Sequence, residues 1–318
     1  MANNLGPNTL NLGVRVLSLD GGGAGALPEL LILERLMYRV KTEGELETMP
    51  FPHECFELIG GSGTGGIIAL MLGRLRMSVS DARSVYEKLR PESKIGFGEE
   101  FQTSKFEADL MDIFQGENMK DFHANTCKTF VCAMNTMNMN AAIPEFFRSY
   151  DTREEPANEC LVWEAARATS AIPGLFKPME IGSDATRQRY IGGGFGHNNP
   201  TTLVLQEAKQ LYPSRPVVLV TSIGGGYPAT IQISKSPSMS AMANTFQRIT
   251  TDCERTHDDN ARRFRVVPGT YFRFNVQQGL QELEPRQWES GKVLAHTKAY
   301  LGLPTSNSSF HGQRRHSR

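Results

Sequence analysis

The segment that most constrains the fold is Phe56–Leu72, Phe-Glu-Leu-Ile-Gly-Gly-Ser-Gly-Thr-Gly-Gly-Ile-Ile-Ala-Leu-Met-Leu. An apolar run from Cys55 to Ile59 enters seven residues that contain five glycines, and a helix-like apolar run from Ile67 to Leu72 leaves them. That order predicts a strand, a tight turn and a helix. Glycine permits left-handed backbone angles and close approach of neighbouring segments. A helix start aims unpaired N–H groups and a positive dipole end at whatever sits on the turn. Such a turn serves either as a nucleophile elbow or as an anion cradle.

A similar unit precedes it. Val14–Leu19 alternates with period two and ends in Asp20-Gly21-Gly22-Gly23. From Leu27 to Val40 the apolar positions Leu30, Leu31, Leu33, Leu36, Met37 and Val40 recur at helical spacing, with Pro28 suited to a first turn. Gly44 to Pro52 reads as a loop. Two strand, glycine-loop, helix units in succession predict a parallel sheet covered by helices. Further helices are expected at 80–89, 105–114, 161–170, 201–211, 240–263 and 287–300, with a break at Gly96 and Gly98. Strands are expected at 129–134, 146–150, 217–223 and 271–276. Residues 1–12 read as a polar leader, 13–301 as one domain without repeat or linker, and 302–318 as a disordered tail.

The strands at 14–19, 55–59 and 217–223, and Ile191, each run into a glycine cluster. In a parallel sheet the strand carboxyl ends share one edge, and ligands bind in the crevice there. The loops at 20–23, 60–66, 192–194 and 224–226 are therefore expected to converge on one site.

Composition narrows the partners. Lys+Arg and Asp+Glu both number 34 among 318 residues, so no net field recommends nucleic acid. The basic run at 313–318 reads as a solvated end. Five cysteines, an odd number without C-x-x-C spacing, fit a reduced intracellular compartment. The N-terminus lacks the charged start and apolar core of a signal peptide. No run approaches the ~18 apolar residues of a membrane span. A cytoplasmic location is expected. His53, His123, His257 and His296 lack ligand spacing, so neither a metal nor another cofactor is expected. The methionines of the run Met134-Asn135-Thr136-Met137-Asn138-Met139-Asn140 read as gap fillers, and Asp258-Asp259, Glu99-Glu100 and Glu154-Glu155 as solvated faces.

Four motifs stand in a familiar order: Leu17-Ser18-Leu19-Asp20-Gly21-Gly22-Gly23; Leu58-Ile59-Gly60-Gly61 with Thr64-Gly65-Gly66-Ile67-Ile68-Ala69-Leu70; Trp163-Glu164-Ala165-Ala166-Arg167-Ala168-Thr169-Ser170-Ala171; and Gly196-His197-Asn198-Asn199-Pro200. In these the chain resembles the patatin-like phospholipase family, most of all its fungal members, over roughly residues 14–301. The resemblance implies a doubly wound, mainly parallel, three-layer α/β/α domain with a lipid acyl-hydrolase site at the strand ends. The family uses a serine and aspartate dyad. The serine stands in the middle of G-x-S-x-G, the aspartate opens a D-G-G or D-G-A motif, and the first glycine loop supplies oxyanion donors.

Both reacting positions depart from that pattern. The middle of the frame set by Gly61 and Gly65 is Gly63, and the first residue of the D-G-G frame is Gly192. Gly25 and Ala26 stand where the family usually has arginine and glycine, which favours natural divergence over engineered inactivation. Ser62 is a displaced nucleophile candidate, but its frame lacks the closing glycine. His197 is the nearest base in sequence terms, with a structural role as the alternative. The expectation is a patatin-fold protein that no longer hydrolyses and binds an acyl or phosphate-bearing small molecule at the old site, with transient membrane or lipid contact. Asp20, Gly21, Gly22, Gly23, Thr64, Gly65, Gly66 and His197 form the expected ligand and oxyanion set, Asp20 also reading as a loop former. With glycine at 25, 63 and 192 the pocket is expected to be roomier than the family's. The alternatives are an active acyl hydrolase using Ser62, or an enzyme of different chemistry in the repurposed pocket.

Overall fold

The computed structural model describes residues 13–22, 26–89, 99–121, 127–141, 143–233, 235–281 and 290–303. The leader at 1–12, Gly23, Gly25, Gly96, Gly98, His123 and the tail from 304 onward lie outside them.

The chain opens with strand β1 (Val14–Leu19), helix α1 (Ala26–Glu43), the single turn α2 (Pro52–Cys55) and strand β2 (Leu58–Ser62). β2 begins later than the apolar run suggests. Cys55 closes α2, whereas Gly60 and Gly61, expected in the turn, continue the strand. Packing explains the shift: a Cβ on Gly60 would stand 2.6 Å from both the Phe130 ring and Val204, so a side chain there would push away a neighbouring strand and a covering helix.

β2 passes directly into α3 (Gly63–Ala69), which is prolonged by a wider π turn at Leu70–Arg74. Next come α4 (Val79–Lys88), whose cap Ser78 accepts the Asp81 N–H at 3.0 Å, and α5 (Glu99–Phe114). Strands β3 (Lys128–Asn135) and β4 (Glu145–Arg148) form a hairpin, followed by α6 (Val162–Thr169), β5 (Met179–Ile181), β6 (Gln188–Gly192) and the single turn α7 (Gly194–His197). The rest is α8 (Thr201–Leu211), β7 (Val217–Gly224), α9 (Met239–Thr250), α10 (Glu254–Phe264), β8 (Tyr271–Asn275) and α11 (Ser290–Gly302). Periodicity merged α9 and α10 into one helix. They are separate because Asp252 caps the second, accepting the N–H groups of Glu254 at 3.3 Å and Arg255 at 3.2 Å.

These strands form one sheet in the order β5-β6-β3-β2-β1-β7-β8, with β4 also on β3. β3, β2, β1, β7 and β8 run parallel, while β4 and β6 share the outer edge of β3 in antiparallel sense. Helices α1, α3 and α6 cover one face over a core that includes Leu17, Leu19, Leu33, Ile68, Val131 and Phe274. Helix α8 covers the other, over Val16, Leu58, Phe130, Val204 and Val220, with α10 beside it. The expected three-layer α/β/α architecture is present. Each fully buried Val, Leu, Ile or Phe contributes about 1.5–3 kcal/mol. Among the described residues no helix is long and apolar enough to cross a membrane, and all five cysteines are free thiols.

Candidate functional site

Register brings three of the four glycine loops together. Leu19 pairs with Gly61 on one side and Ile223 on the other, so Asp20, Ser62 and Gly224 lie side by side at the carboxyl edge of the sheet. The segment after Gly192 reaches the same edge by another route. Its strand, β6, is antiparallel to β3 and ends opposite Ala133, so it runs inward from beyond the edge instead of ending there as a parallel strand does.

Gly63 occupies the turn between β2 and α3 with φ at +54°. That angle is costly for residues with a Cβ. A Cβ there would lie 3.3 Å from Gly21 Cα, 3.9 Å from Gly22 N and 4.0 Å from the Thr169 carbonyl oxygen. The backbone thus has the shape of an elbow that presents a side chain beside an amide of the first glycine loop. The Gly63 N–H donates to Thr169 Oγ1 at 3.0 Å, and Thr169 Oγ1 donates to Cys132 O at 2.6 Å.

Ser62 belongs to the strand, not to the turn. Its backbone is extended (φ −127°, ψ 144°) and its side chain is fully buried. The hydroxyl lies beside the Cys132 thiol without a partner of good hydrogen-bond geometry. Burial pushes that thiol up to about 12, so it is no base. A one-residue shift along a strand reverses the face a side chain takes, so the Ser62 hydroxyl does not stand where a side chain at 63 would.

The expected N–H donors divide. Gly21 donates to Asn198 O at 2.7 Å, and Gly65 donates to Asp20 O at 3.1 Å, so neither amide is open to a ligand. Gly66 lies within α3 and is buried. The Thr64 hydroxyl donates to Gly22 O at 3.1 Å and ties the elbow to the first loop. Among the described residues no loop bond engages the N–H of Gly22 or Thr64. These two remain as the donors nearest the space beside Gly63.

The expectation of a roomier pocket fails at position 192. A Cβ on Gly192 would stand 2.8 Å from the Thr169 carbonyl oxygen, and one on Gly193 2.5 Å from the Cys132 carbonyl oxygen. The backbone has closed over the space that a side chain on Gly192 would need.

The elbow geometry at Gly63 and the order of the glycine loops agree with what comparison with known proteins finds, since residues 17–205 match the family described as patatin-like phospholipase. The chain belongs to the patatin-like phospholipase family. It is 30% identical over 285 residues to mouse calcium-independent phospholipase A2-gamma, covering 83% of this chain and 35% of that protein. To the human form it is 29% identical over 286 residues, covering 83% and 34%. An Arabidopsis thaliana relative named probable inactive patatin-like protein 9 is 30% identical over 259 residues, covering 72% of this chain and 64% of that protein. The chain spans about a third of the length of the phospholipase A2-gamma relatives.

Within this patatin-like domain a buried charge cluster underlies the first glycine loop. Asp20 is paired with an arginine. Its Oδ2 lies 2.6 Å from Arg273 Nη2, with the two side chains 1% and 4% exposed. Arg273 also donates to Ser222 Oγ at 3.0 Å and to Glu254 Oε1 at 3.3 Å. Glu29, in the first turn of α1, is fully buried with both carboxylate oxygens unpartnered. Burial, and secondarily the Asp20 charge, hold its carboxyl well above the usual range. Arg273 and Glu29 escape motif reading because one lies on an ordinary strand and the other on an amphipathic helix.

His197 is half-buried on α7, and its neighbours carry structural roles. Asn198 Nδ2 donates to Thr251 O at 2.7 Å, and Asn199 Nδ2 to Cys253 O at 3.1 Å, so this motif clamps the start of α10 to the site edge. The methionine run is only partly a gap filler. Met134 is buried, while Met137 is 78% and Met139 40% exposed on the β3–β4 turn. Of the acidic pairs, Glu155 meets Arg148 at 3.0 Å and Asp259 meets Arg262, with both carboxylates exposed.

Proposed function

We propose that this patatin-like protein has lost serine–aspartate acyl hydrolysis and binds an acyl or phosphate-bearing small molecule beside Gly63. The observation that carries the reading is the conformation of Gly63. It holds an elbow's left-handed φ, with the Gly22 amide 3.9 Å from where a side chain would begin, yet carries no nucleophile. Position 192, where the family resemblance puts the aspartate, is also glycine, with its side-chain space closed. Removal of such a catalytic unit costs on the order of 10⁶ in rate in a serine hydrolase.

A lipid as the ligand class is supported by the rim of the same sheet edge. Met137, Ile143, Met239 and Phe246 are exposed there, on the β3–β4 turn and on α9. Residues 134–144 contain no charged side chain, and residues 227–251 contain Lys235 and Arg248 but no carboxylate. Such a surface suits transient contact with lipid. The burial of Ser62 speaks against the alternative of a Ser62 hydrolase. An enzyme of different chemistry would need the same cradle.

The test is titration with oleate, and separately with inorganic phosphate, of the natural protein and of Gly63→Asn. Asparagine tolerates a left-handed φ better than other residues with a side chain and fills the vacated space. Saturable binding by the natural protein, weakened about tenfold or more in Gly63→Asn, is the expected result. Absence of binding to both probes, or binding unaffected by the substitution, overturns the reading.

A further inference from the structure

A cleft also borders the buried Arg273. β8 forms one edge of the sheet, and between it, α10 and α11 is a cavity of about 470 Å³. That size falls within the ~300–1,000 Å³ range of small-molecule sites. One wall is a stack of three rings: Tyr271 lies 5.8 Å from His257 and 5.9 Å from Phe264, at interplanar angles of 26° and 13°. The hydroxyl residues Tyr227, Tyr271 and Tyr300 also line the cavity, with the Tyr271 hydroxyl 3.0 Å from His257 Nδ1 and the Tyr300 hydroxyl accepting the Asn275 N–H at 3.3 Å. Burial raises all three phenols above their usual range, so they stay protonated.

The charges lining this cavity are of one sign. Arg265 and Arg273 border it, and no carboxylate does among the described residues. His257 is driven below its usual value by burial and then by Arg273, so it is neutral at physiological pH. Asp20 and Glu254 engage the Nη2 atom of Arg273, and Ser222 its Nη1. Its Nε–H is buried and has no partner. A buried, unsatisfied guanidinium N–H is costly, and the arginine that carries it borders the cleft.

From this geometry we infer that the β8 cleft is a binding site for a small organic anion carrying a flat ring. The ring stacks along the Tyr271 wall, and its carboxylate or phosphate monoester meets Arg265 on the Arg273 side of the cleft. This site is separate from the space beside Gly63. Arg273 connects the two through Asp20, whose carbonyl accepts the Gly65 N–H.

Calorimetric titration with phenyl phosphate and with benzoate tests the assignment, with inorganic phosphate as the ring-free probe. Ala261→Phe, which fills the cleft from α10, and Arg265→Ala, which removes an exposed charge, leave the buried cluster intact. The expected result is saturable binding of at least one aryl anion, tighter than inorganic phosphate, weakened about tenfold or more by each substitution. Gly63→Asn should leave it within about twofold of the natural protein, whatever that variant does to oleate. No saturable binding of either aryl anion up to about 10 mM, binding indifferent to Ala261→Phe, or binding lost in Gly63→Asn overturns the assignment.

Discussion

The Gly63 N–H donates to Thr169 Oγ1 at 3.0 Å, so the elbow is held by the last residue of α6. The same hydroxyl donates to Cys132 O on the neighbouring strand, and the Thr169 carbonyl borders the side-chain positions of both Gly63 and Gly192. One residue therefore braces the turn and fills space between the two glycines. Thr169→Val keeps the shape and removes both bonds. Chemical denaturation should show a loss of about 1–3 kcal/mol, the cost of leaving buried backbone groups unpaired. An unchanged denaturation midpoint would mean that the brace contributes nothing.

Restoring a side chain should cost little at one glycine and much at the other. Gly63→Ser places a Cβ at φ +54° in near-contact with Gly21 Cα, for which about 1–2 kcal/mol of backbone strain is expected. Gly192→Asp drives a Cβ to 2.8 Å from a backbone oxygen, which places its loss at or above the top of the usual ~1–3 kcal/mol for overpacking. Melting temperatures of the two single variants give the comparison. If Gly192→Asp is the milder one, the backbone around Thr169 is not closed as described.

Ser62→Ala removes a buried hydroxyl that has no partner. Its stability should rise or stay within about 0.5 kcal/mol of the natural protein. A loss of more than about 2 kcal/mol in urea denaturation would show that the hydroxyl carries a bond this account denies it.

Much of the fold was legible because periodicity and glycine placement agree. The pattern of Val14–Leu19, the apolar stripe of α1 and the β-branched run of β7 each specify one element, and their order specifies a parallel sheet. Gly60 and Gly61 were misplaced because a glycine that admits a packed neighbour and a glycine that turns the chain look alike in sequence. The Asp252 cap that divides α9 from α10 is a short signal inside a long helical pattern. At the site, the missing side chains at 63 and 192 could be read directly. The bonds that occupy the Gly21 and Gly65 amides could not, because they depend on Asn198 and Asp20 carbonyls that only the folded chain brings near.

Glu29 gives a pH signature. The carboxyl of the unfolded chain titrates near 4.5, whereas burial holds the folded one well above that. The folded state therefore keeps a proton that the unfolded state releases. Its contribution to stability is full below about pH 4.5 and is lost as pH rises toward the folded value. Asp20, raised by burial against the pull of Arg273, adds a drift of the same sign. Glu29→Gln should lose less Tm than the natural protein between about pH 5 and pH 8, and should gain about 2 °C or more at the upper end. Parallel Tm curves for the two proteins would show that Glu29 is ionised in the folded state.

On the proposed function, the elbow at Gly63 no longer hydrolyses and Ser62 does not replace it. The most direct measurement is turnover of p-nitrophenyl butyrate and of phosphatidylcholine vesicles by the natural protein and by Ser62→Ala, side by side with buffer. Both proteins are expected to match the buffer rate. Turnover by the natural protein above buffer that Ser62→Ala abolishes would contradict it.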